Sequence, residues 1–252
     1  MKLIDSHCHI HDQQYDFDIN ETLSNAKKAG IGQIVTVGTD VEDSRAAVDF
    51  AEKHDNVYAL IGIHPGITKP NDVAKLEEII KSNPKKLVGF GDIGLDYHYK
   101  PFNKALQIKL LRQQLKLAKR YDLPASFHVR EAFDDFWAII DELQGIRGTL
   151  HSYTDNLANM EQALSRGLYI SINGIVSFNK EPELEQVFCS VPIEKILLET
   201  DAPYLAPKPH RGKINQPAYV ADIAKILAEK RNISVDEIAK ITTDNAQKLF
   251  LL

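Results

Sequence analysis

The sequence has few of the residues that build disulfide-rich or membrane-spanning proteins. Its 252 residues include only two cysteines, Cys8 and Cys189, which cannot form a disulfide framework. No apolar run approaches the roughly 18 residues that a membrane-spanning helix needs. The first residues, MKLIDSHCHIHD, soon turn polar and lack the apolar core of a signal peptide. We therefore expect a protein of the reducing cytoplasm.

The sequence also lacks a strong excess of charge of either sign. Thirty Lys and Arg residues against 35 Asp and Glu residues give a formal net charge of −5. A mildly acidic chain has no global attraction for nucleic acid, so such binding would need a local basic patch. The length and a hydrophobic fraction of 44% suit one domain with a sizeable core. We predict a single domain over residues 1–252.

Short apolar runs alternate with longer amphipathic segments along the chain. A strand candidate begins at each of eight positions: Leu3, Ile34, Val57, Leu87, Ala125, Gly148, Leu168 and Ile196. The clearest helix candidate runs from Phe102 to Tyr121, where Leu106, Leu110 and Leu117 share one face. Strands that alternate with helices indicate a parallel sheet. Eight such units favour a (β/α)8 TIM barrel of the α/β class over an open doubly wound sheet.

Polar side chains follow the predicted strands at the end where barrel active sites lie. The residues that converge there are four histidines and two aspartates: His7, His9, His128, His151, Asp92 and Asp201. A lone histidine beside an apolar run is usually a hydrogen-bonded core residue, but their joint placement favours a metal site. Six ligands exceed what one zinc ion takes, so two divalent metal ions (Mg²⁺, Mn²⁺, Zn²⁺ or similar) fit better.

At these residues the chain resembles a known family, the TatD-type metal-dependent deoxyribonucleases of the amidohydrolase-like barrel superfamily. The matching stretches are DSHCHI at 5–10, GIHP at 62–65, GDIGLDY at 91–97, LPASFHVREA at 123–132, TLHSY at 149–153, ETDAPYL at 199–205, HRGKINQP at 210–217 and TTDNAQKLF at 242–250. They cover nearly the whole chain in the same order. D-x-H-x-H alone indicates only the superfamily, whereas ETDAPYL with the downstream R-G-x-x-N-x-P is much more particular.

The resemblance implies a division of the metal ligands. The first ion would be held by His7, His9 and Asp201, and the second by His128 and His151. A glutamate that bridges both ions normally stands at the position of Asp92, so this chain departs from the family by one methylene. Three interpretations stay open: the strand or the ions shift to keep the bridge, Asp92 contacts one ion only, or one site is weak. Gly66 is a smaller departure, since many members carry a polar residue there.

The resemblance further implies hydrolysis of phosphodiester bonds, with a 3′–5′ exonuclease acting on single-stranded DNA or DNA 3′ ends. We interpret Asp201 as both a ligand and a general base, and Asp92 as the second catalytic candidate. Three acids are expected to orient their neighbours: Asp5, Asp96 and Glu199. The candidates for substrate contacts are Arg130, Arg211, His64 and Asn215. Arg211 belongs to the basic loop, residues 208–213, which follows the eighth strand.

Two other functions stay open. Related barrels hydrolyse small esters, lactones or amides, and the predicted ligands alone do not exclude such a substrate. A degenerate, non-catalytic metal-binding scaffold is the third interpretation, which only Asp92 supports.

No coiled-coil heptad pattern occurs, so we expect a monomer. His11 is interpreted as a surface residue.

The weak-site interpretation of Asp92 makes a prediction about metal content. It predicts fewer than two divalent ions per chain in the purified protein, and a second ion in Asp92→Glu, because the longer side chain extends the reach of the carboxylate. Elemental analysis of both proteins measures this. A count of two ions in each protein would contradict the weak-site interpretation.

Overall fold

The computed structural model describes residues 2–15, 18–67 and 72–252. Within these ranges eight strands occur: β1 (Leu3–Cys8), β2 (Ile31–Val37), β3 (Val57–Ile61), β4 (Leu87–Asp96), β5 (Ala125–Arg130), β6 (Gly148–Leu150), β7 (Tyr169–Ile172) and β8 (Ile196–Leu198). The α-helices of the same ranges are α1 (Ile19–Lys28), α2 (Val41–Ala51), α3 (Val73–Lys81), α4 (Lys104–Arg120), α5 (Phe133–Leu143), α6 (Leu157–Ser165), α7 (Pro182–Ser190), α8 (Val220–Arg231) and α9 (Val235–Phe250). Short 3₁₀ helices occur at Gly174–Ser177, Ile193–Lys195 and Pro217–Tyr219. Among the described residues, no helix combines the length and apolar character needed to span a membrane.

Two compact units divide the chain, one formed by Met1–Thr36 with Ser152–Leu252 and the other by Val37–His151. In the first unit β1 pairs with β2 and β7 with β8, all in parallel. In the second unit β3 pairs with β4, β4 with β5 and β5 with β6, again in parallel. The strand order in the sheet follows the chain from β1 to β8. The predicted alternation of parallel strands and helices is therefore confirmed.

Side-chain caps set the start of most helices. Six helices begin after a residue whose side-chain oxygen accepts a hydrogen bond from a backbone N–H of the first turn: Asp18, Asp40, Asp72, Asn103, Asn156 and Ser234. Such caps satisfy donors that have no partner inside the helix. The starts of these helices therefore follow local side-chain chemistry.

Strand β4 is longer than the sequence predicts. The apolar run ends at Phe90, but the strand continues to Asp96, so Asp92 lies inside it rather than at its end. Pairing with β5 places Gly94 opposite His128 and Asp96 opposite Arg130. Asp92 and Asp96 are both buried. The extension of β4 thus brings two carboxylates into the interior of the second unit, beside the strand that carries His128.

Helix α4 also differs from its predicted face. Leu110 and Leu117 are buried as expected, but Leu106 is 37% exposed. Two glutamines, Gln107 and Gln114, occupy the buried face instead, with 5% and 1% exposure. A buried amide side chain is costly unless it is hydrogen-bonded. The spacing of the leucines therefore predicted the helix, but it did not predict that two glutamines occupy part of its buried face.

Gly94 allows β4 and β5 to approach closely. A Cβ atom added at this position would lie 1.7 Å from the carbonyl oxygen of His128. That distance is far inside van der Waals contact, and the obstructing atom belongs to the backbone. The strand that carries His128 therefore requires glycine at position 94.

We expect Gly94→Ala to lower the free energy of unfolding by about 3 kcal/mol or more, because the two strands must separate to admit the methyl group. Gly145→Ala is the control in the same unit. Gly145 has a φ of +75° and no atom within 4 Å of the added Cβ, so only the backbone conformation opposes the substitution. Its expected cost is about 1–2 kcal/mol. Urea unfolding of both variants measures the difference, and equal losses would contradict the close-approach explanation.

Candidate functional site

The first group of candidate ligands, His7, His9 and Asp201, lies in the first unit. Its ligand atoms lie within 4.8 Å of one another. The Nε2 atoms of His7 and His9 are 4.0 and 3.7 Å from Oδ1 of Asp201. All three residues are buried. Two imidazoles and a carboxylate at this spacing form a donor set that suits a divalent metal ion.

Backbone hydrogen bonds hold the first group together. The amide of Asp201 donates to the carbonyl of His7 at 2.9 Å, and the amide of His9 donates to the carbonyl of Ala202 at 2.7 Å. The segment that follows β8 is therefore paired with the end of β1. This pairing explains why D-x-H-x-H and E-T-D, almost 200 residues apart in the chain, supply one cluster.

Asp5 supports the first group through Thr200. The amide and the hydroxyl of Thr200 donate to the two carboxylate oxygens of Asp5 at 2.8 and 2.6 Å. Burial raises the pKa of Asp5 to about 8, and the hydrogen bonds from Thr200 oppose this rise. Asp5 therefore anchors the residue that precedes Asp201.

Asn215 and Glu199 also contact backbone. Nδ2 of Asn215 donates to the carbonyls of Thr200 and Tyr204 at 2.8 and 2.5 Å. These bonds attach Asn215, which was predicted to contact substrate, to the loop that contains Asp201. The fully buried Glu199 accepts a hydrogen bond from the amide of Ser152 at 2.5 Å. It therefore fixes the chain just after β6.

The second group of candidate ligands, His64, Asp92, His128 and His151, lies in the second unit. Oδ2 of Asp92 is 3.8 Å from Nε2 of His64, and Oδ1 of Asp92 is 3.7 Å from Nε2 of His151. The ring centroids of His64 and His128 are 4.5 Å apart, and those of His128 and His151 are 5.7 Å apart. Histidines thus surround the carboxylate of Asp92, a donor set that also fits a divalent ion.

Asp96 fixes His128. Oδ2 of Asp96 is 2.8 Å from Nε2 of His128, and Oδ1 accepts a hydrogen bond from the amide of His98 at 2.9 Å. Burial alone would raise the pKa of Asp96, but these hydrogen bonds and the charges of His128 and Arg130 outweigh it and lower the pKa. Asp96 therefore stays ionised at neutral pH and contacts His128, a predicted ligand.

His64 lies beside Asp92 and His128, a position that was not predicted from the sequence. Burial, followed by the nearby charge of His128, lowers the pKa of His64 to about 4, and the charge of Asp92 opposes the shift only in part. The imidazole is therefore neutral at pH 7. His64 was predicted to contact substrate, and the structure places it within the second group.

Two residues important for the second unit were missed by sequence reasoning. Gln114 accepts a hydrogen bond from the amide of Ile63 at 2.7 Å and donates to the carbonyl of Ile63 at 3.2 Å. Gln107 makes the same pair of bonds to the backbone of Asp96, both at 2.8 Å. One helix thus fixes the backbone beside His64 and at Asp96. The available signal was a pair of glutamines seven residues apart on an apolar helix face.

Arg130 and Arg211, the two arginines predicted to contact substrate, have different surroundings. Arg130 is exposed, and its guanidinium lies 5.2 Å from the ring centroid of Tyr99, whose hydroxyl it contacts at 3.2 Å. Arg211 packs its guanidinium 3.9 Å from the ring centroid of Phe178 and donates to the carbonyl of Ala206 at 3.1 Å. Arg130 is therefore placed at an accessible aromatic surface, whereas Arg211 is tied to its own loop.

The surface interpretation of His11 is wrong. His11 is 6% exposed, and its Nδ1 lies 2.6 Å from the hydroxyl of Thr36. The buried segment that begins with β1 thus extends to His11, two positions beyond the D-x-H-x-H pattern. The sequence alone does not show how far the chain stays buried after β1, and for this reason His11 was interpreted as a surface residue.

Comparison with known proteins identifies the family of this chain. The family described as TatD related DNase matches residues 4–251. The chain belongs to this family. The metal-dependent hydrolase YabD of Bacillus subtilis (strain 168) is 36% identical, with 98% of each chain covered. The metal-dependent hydrolase YcfH of Escherichia coli (strain K12) is 35% identical over 99% of this chain and 96% of its own.

A solved structure extends the likeness to the fold. The TatD homologue YjjV of Escherichia coli K12 superposes with a TM-score of 0.94 at 31% identity, and 99% of this chain and 98% of that chain are covered. Together with the strand order, this confirms the predicted (β/α)8 barrel class. Membership of the TatD family also confirms the prediction of a metal-dependent hydrolase.

We expect Gln114→Leu to cost about 3 kcal/mol of unfolding free energy, because it leaves the buried amide and carbonyl of Ile63 without their partner. It should also lower hydrolytic activity, since the displaced backbone leads directly into His64. Gln113→Leu, on the exposed side of α4, is the matched control and should change stability by no more than about 0.5 kcal/mol. Urea unfolding and activity assays test both. Equal effects of the two substitutions would show that the hydrogen bonds to Ile63 do not stabilise the unit.

Proposed function

We propose that this TatD-family hydrolase cleaves phosphodiester bonds of DNA and removes nucleotides from the 3′ ends of single strands. The observation that carries the proposal is the pair of histidine–carboxylate groups, one in each unit, in a chain that belongs to a DNase family. Each group combines imidazoles with a carboxylate, the ligand types that divalent ions take in hydrolases.

The proposed ligands follow the two groups. We infer that His7, His9 and Asp201 would hold one divalent ion and that Asp92, His128 and His151 would hold a second. When bound, such ions stabilise the negative charge of the transition state and lower the pKa of an attacking water. The donor types suit Zn²⁺, Mn²⁺ and Mg²⁺ to different degrees, and all three belong in the assay.

Asp201 is the proposed general base. Its backbone has a φ of +56°, and its amide is bonded to His7, so the position of the carboxylate is set by the fold rather than by a mobile loop. In the proposed reaction a carboxylate oxygen of Asp201 accepts the proton of the attacking water. Thr200 and Asp5 maintain this position through their mutual hydrogen bonds.

A DNA substrate also needs contacts to its phosphates and bases. Arg130 supplies a planar cation that grips phosphate oxygens through two parallel hydrogen bonds. Tyr99, 69% exposed beside Arg130, and Tyr204, 48% exposed near His9, offer ring faces for unpaired bases. In the basic loop, Lys208, Arg211 and Lys213 are exposed, and the guanidinium of Arg211 also packs against Phe178. These local features offset a net charge of −5 and favour single-stranded ends over a long duplex surface.

The cysteines support the proposed compartment. Cys8 and Cys189 are both free thiols, and Cys8 is fully buried. Free thiols are typical of reducing surroundings, so we propose a cytoplasmic protein.

The proposed site draws its ligands from one chain, and a monomer is the proposed functional form.

We expect the metal-replete protein to shorten 3′-end-labelled and 5′-end-labelled single-stranded DNA in patterns that reveal 3′–5′ degradation. Asp201→Asn should lower the rate by about 100-fold or more, because the isosteric amide removes both the base and a charged ligand. Asp244→Asn, an exposed substitution on α9, is the control and should leave the rate unchanged. Removal of metal by a chelator should abolish cleavage. If the wild-type protein leaves both labelled strands intact but hydrolyses a small ester or lactone, the substrate proposal is wrong.

A further inference from the structure

His64 has one ring nitrogen that is already occupied. The backbone amide of Gly66 donates a hydrogen bond to Nδ1 of His64 at 3.0 Å. An N–H group can only donate, so Nδ1 must be the acceptor and carries no proton. The contact is tight, because a Cβ atom added at Gly66 would lie 3.0 Å from Nδ1 and 3.2 Å from Cε1.

The proton of the ring therefore resides on the other nitrogen. A neutral imidazole has one N–H and one acceptor nitrogen, and the partner of one nitrogen fixes the tautomer. With Nδ1 accepting, Nε2 carries the hydrogen and is a donor. Neither nitrogen then offers a lone pair to a metal ion: that of Nδ1 points to Gly66, and Nε2 is protonated.

The location of the Nε2–H group indicates its use. Nε2 lies 3.8 Å from Oδ2 of Asp92, beyond the range of a good direct hydrogen bond. The side chain of His64 is 23% exposed, so an incoming molecule can reach it. Its neighbour in the second group is His128, at 4.5 Å between ring centroids. The donor thus lies close to the carboxylate of Asp92 and the imidazole of His128, two of the residues that would bind the second ion.

The backbone holds His64 in this orientation. The amide of His64 donates to the carbonyl of Thr39 at 2.8 Å, and the carbonyl of His64 accepts from Ile67 at 3.0 Å. Gln114 fixes the preceding residue, Ile63, through both of its backbone polar groups. A donor held in this way loses little entropy when it binds an anion, which is the property that transition-state stabilisation requires.

We propose that His64 is not a metal ligand but a fixed hydrogen-bond donor, whose Nε2–H binds a non-bridging oxygen of the substrate phosphate. Gly66 is the positioning residue that sets its tautomer. The proposal rests on the proposed phosphodiesterase function for the identity of the anion. The exclusion of His64 from the ligands rests on its hydrogen bonds alone.

Two substitutions separate a donor from a ligand. In His64→Gln the side-chain amide can place an N–H near the position of Nε2, whereas His64→Leu removes the donor. We expect both variants to keep the wild-type metal content in elemental analysis. We expect the affinity of the Mg²⁺-loaded protein for inorganic phosphate, measured by calorimetry, to fall about tenfold in His64→Leu and to stay within about threefold in His64→Gln. His54→Leu, a histidine that packs on Phe50, is the control and should change neither quantity.

The tautomer has its own readout. Long-range ¹H–¹⁵N correlation spectra of the metal-loaded protein should show one histidine, absent from the spectrum of His64→Gln, with its proton on Nε2. Loss of one metal ion in both His64 variants, or a proton on Nδ1, would overturn the proposal and make His64 a ligand. Equal loss of phosphate affinity in the Gln and Leu variants would also overturn it. Failure of wild-type protein to cleave DNA would instead refute the proposed function, because the metal counts and the tautomer do not depend on cleavage.

Discussion

The architecture of this protein depends on the accommodation of carboxylates that lie in its interior. A buried carboxylate is costly unless hydrogen bonds or a cation compensate for the lost hydration. Asp5 receives two hydrogen bonds from Thr200, and Asp96 receives hydrogen bonds from His128 and from the amide of His98. These two acids act as anchors. Asp92 has a nitrogen of His151 at 3.7 Å, and Asp201 has nitrogens of His7 and His9 at 4.0 and 3.7 Å, a spacing that suits a shared cation better than a direct hydrogen bond.

The two units solve the same positioning problem with different residues. In the first unit, Asn215 binds two backbone carbonyls and fixes the segment around Asp201. In the second unit, Gln107 and Gln114 bind both the amide and the carbonyl of one residue each. In both cases an amide side chain replaces the backbone partner that a strand end lacks. The ligand-bearing segments are thus rigid without further secondary structure, and rigidity is what a metal centre requires of its ligands.

The fold was predictable because its signals are local and repeated. Apolar runs, helical periodicity and capping residues such as Ser234 each specify an element within a few positions. The polar residues at the strand ends were predictable for the same reason, since each follows an apolar run. The roles of Gln107, Gln114 and His11 were not predictable, because each depends on a partner distant in sequence. The length of β4 was missed because its second half, from Gly91 to Asp96, carries glycine and acids that a strand pattern does not favour.

The position of His64 next to Asp92 limits how the shortened carboxylate can be compensated. Asp92 has the same charge as the glutamate that the family resemblance implies at this position, so the two side chains differ in reach and not in charge. A neighbouring histidine could restore a lost ligand only through a nitrogen with an available lone pair. The amide of Gly66 occupies Nδ1 of His64 and thereby leaves the proton on Nε2. His64 therefore does not replace a lost ligand, and the interpretation in which the bridge is kept requires a shift of the ions or of β4, where Gly94 lets the strand lie close to His128.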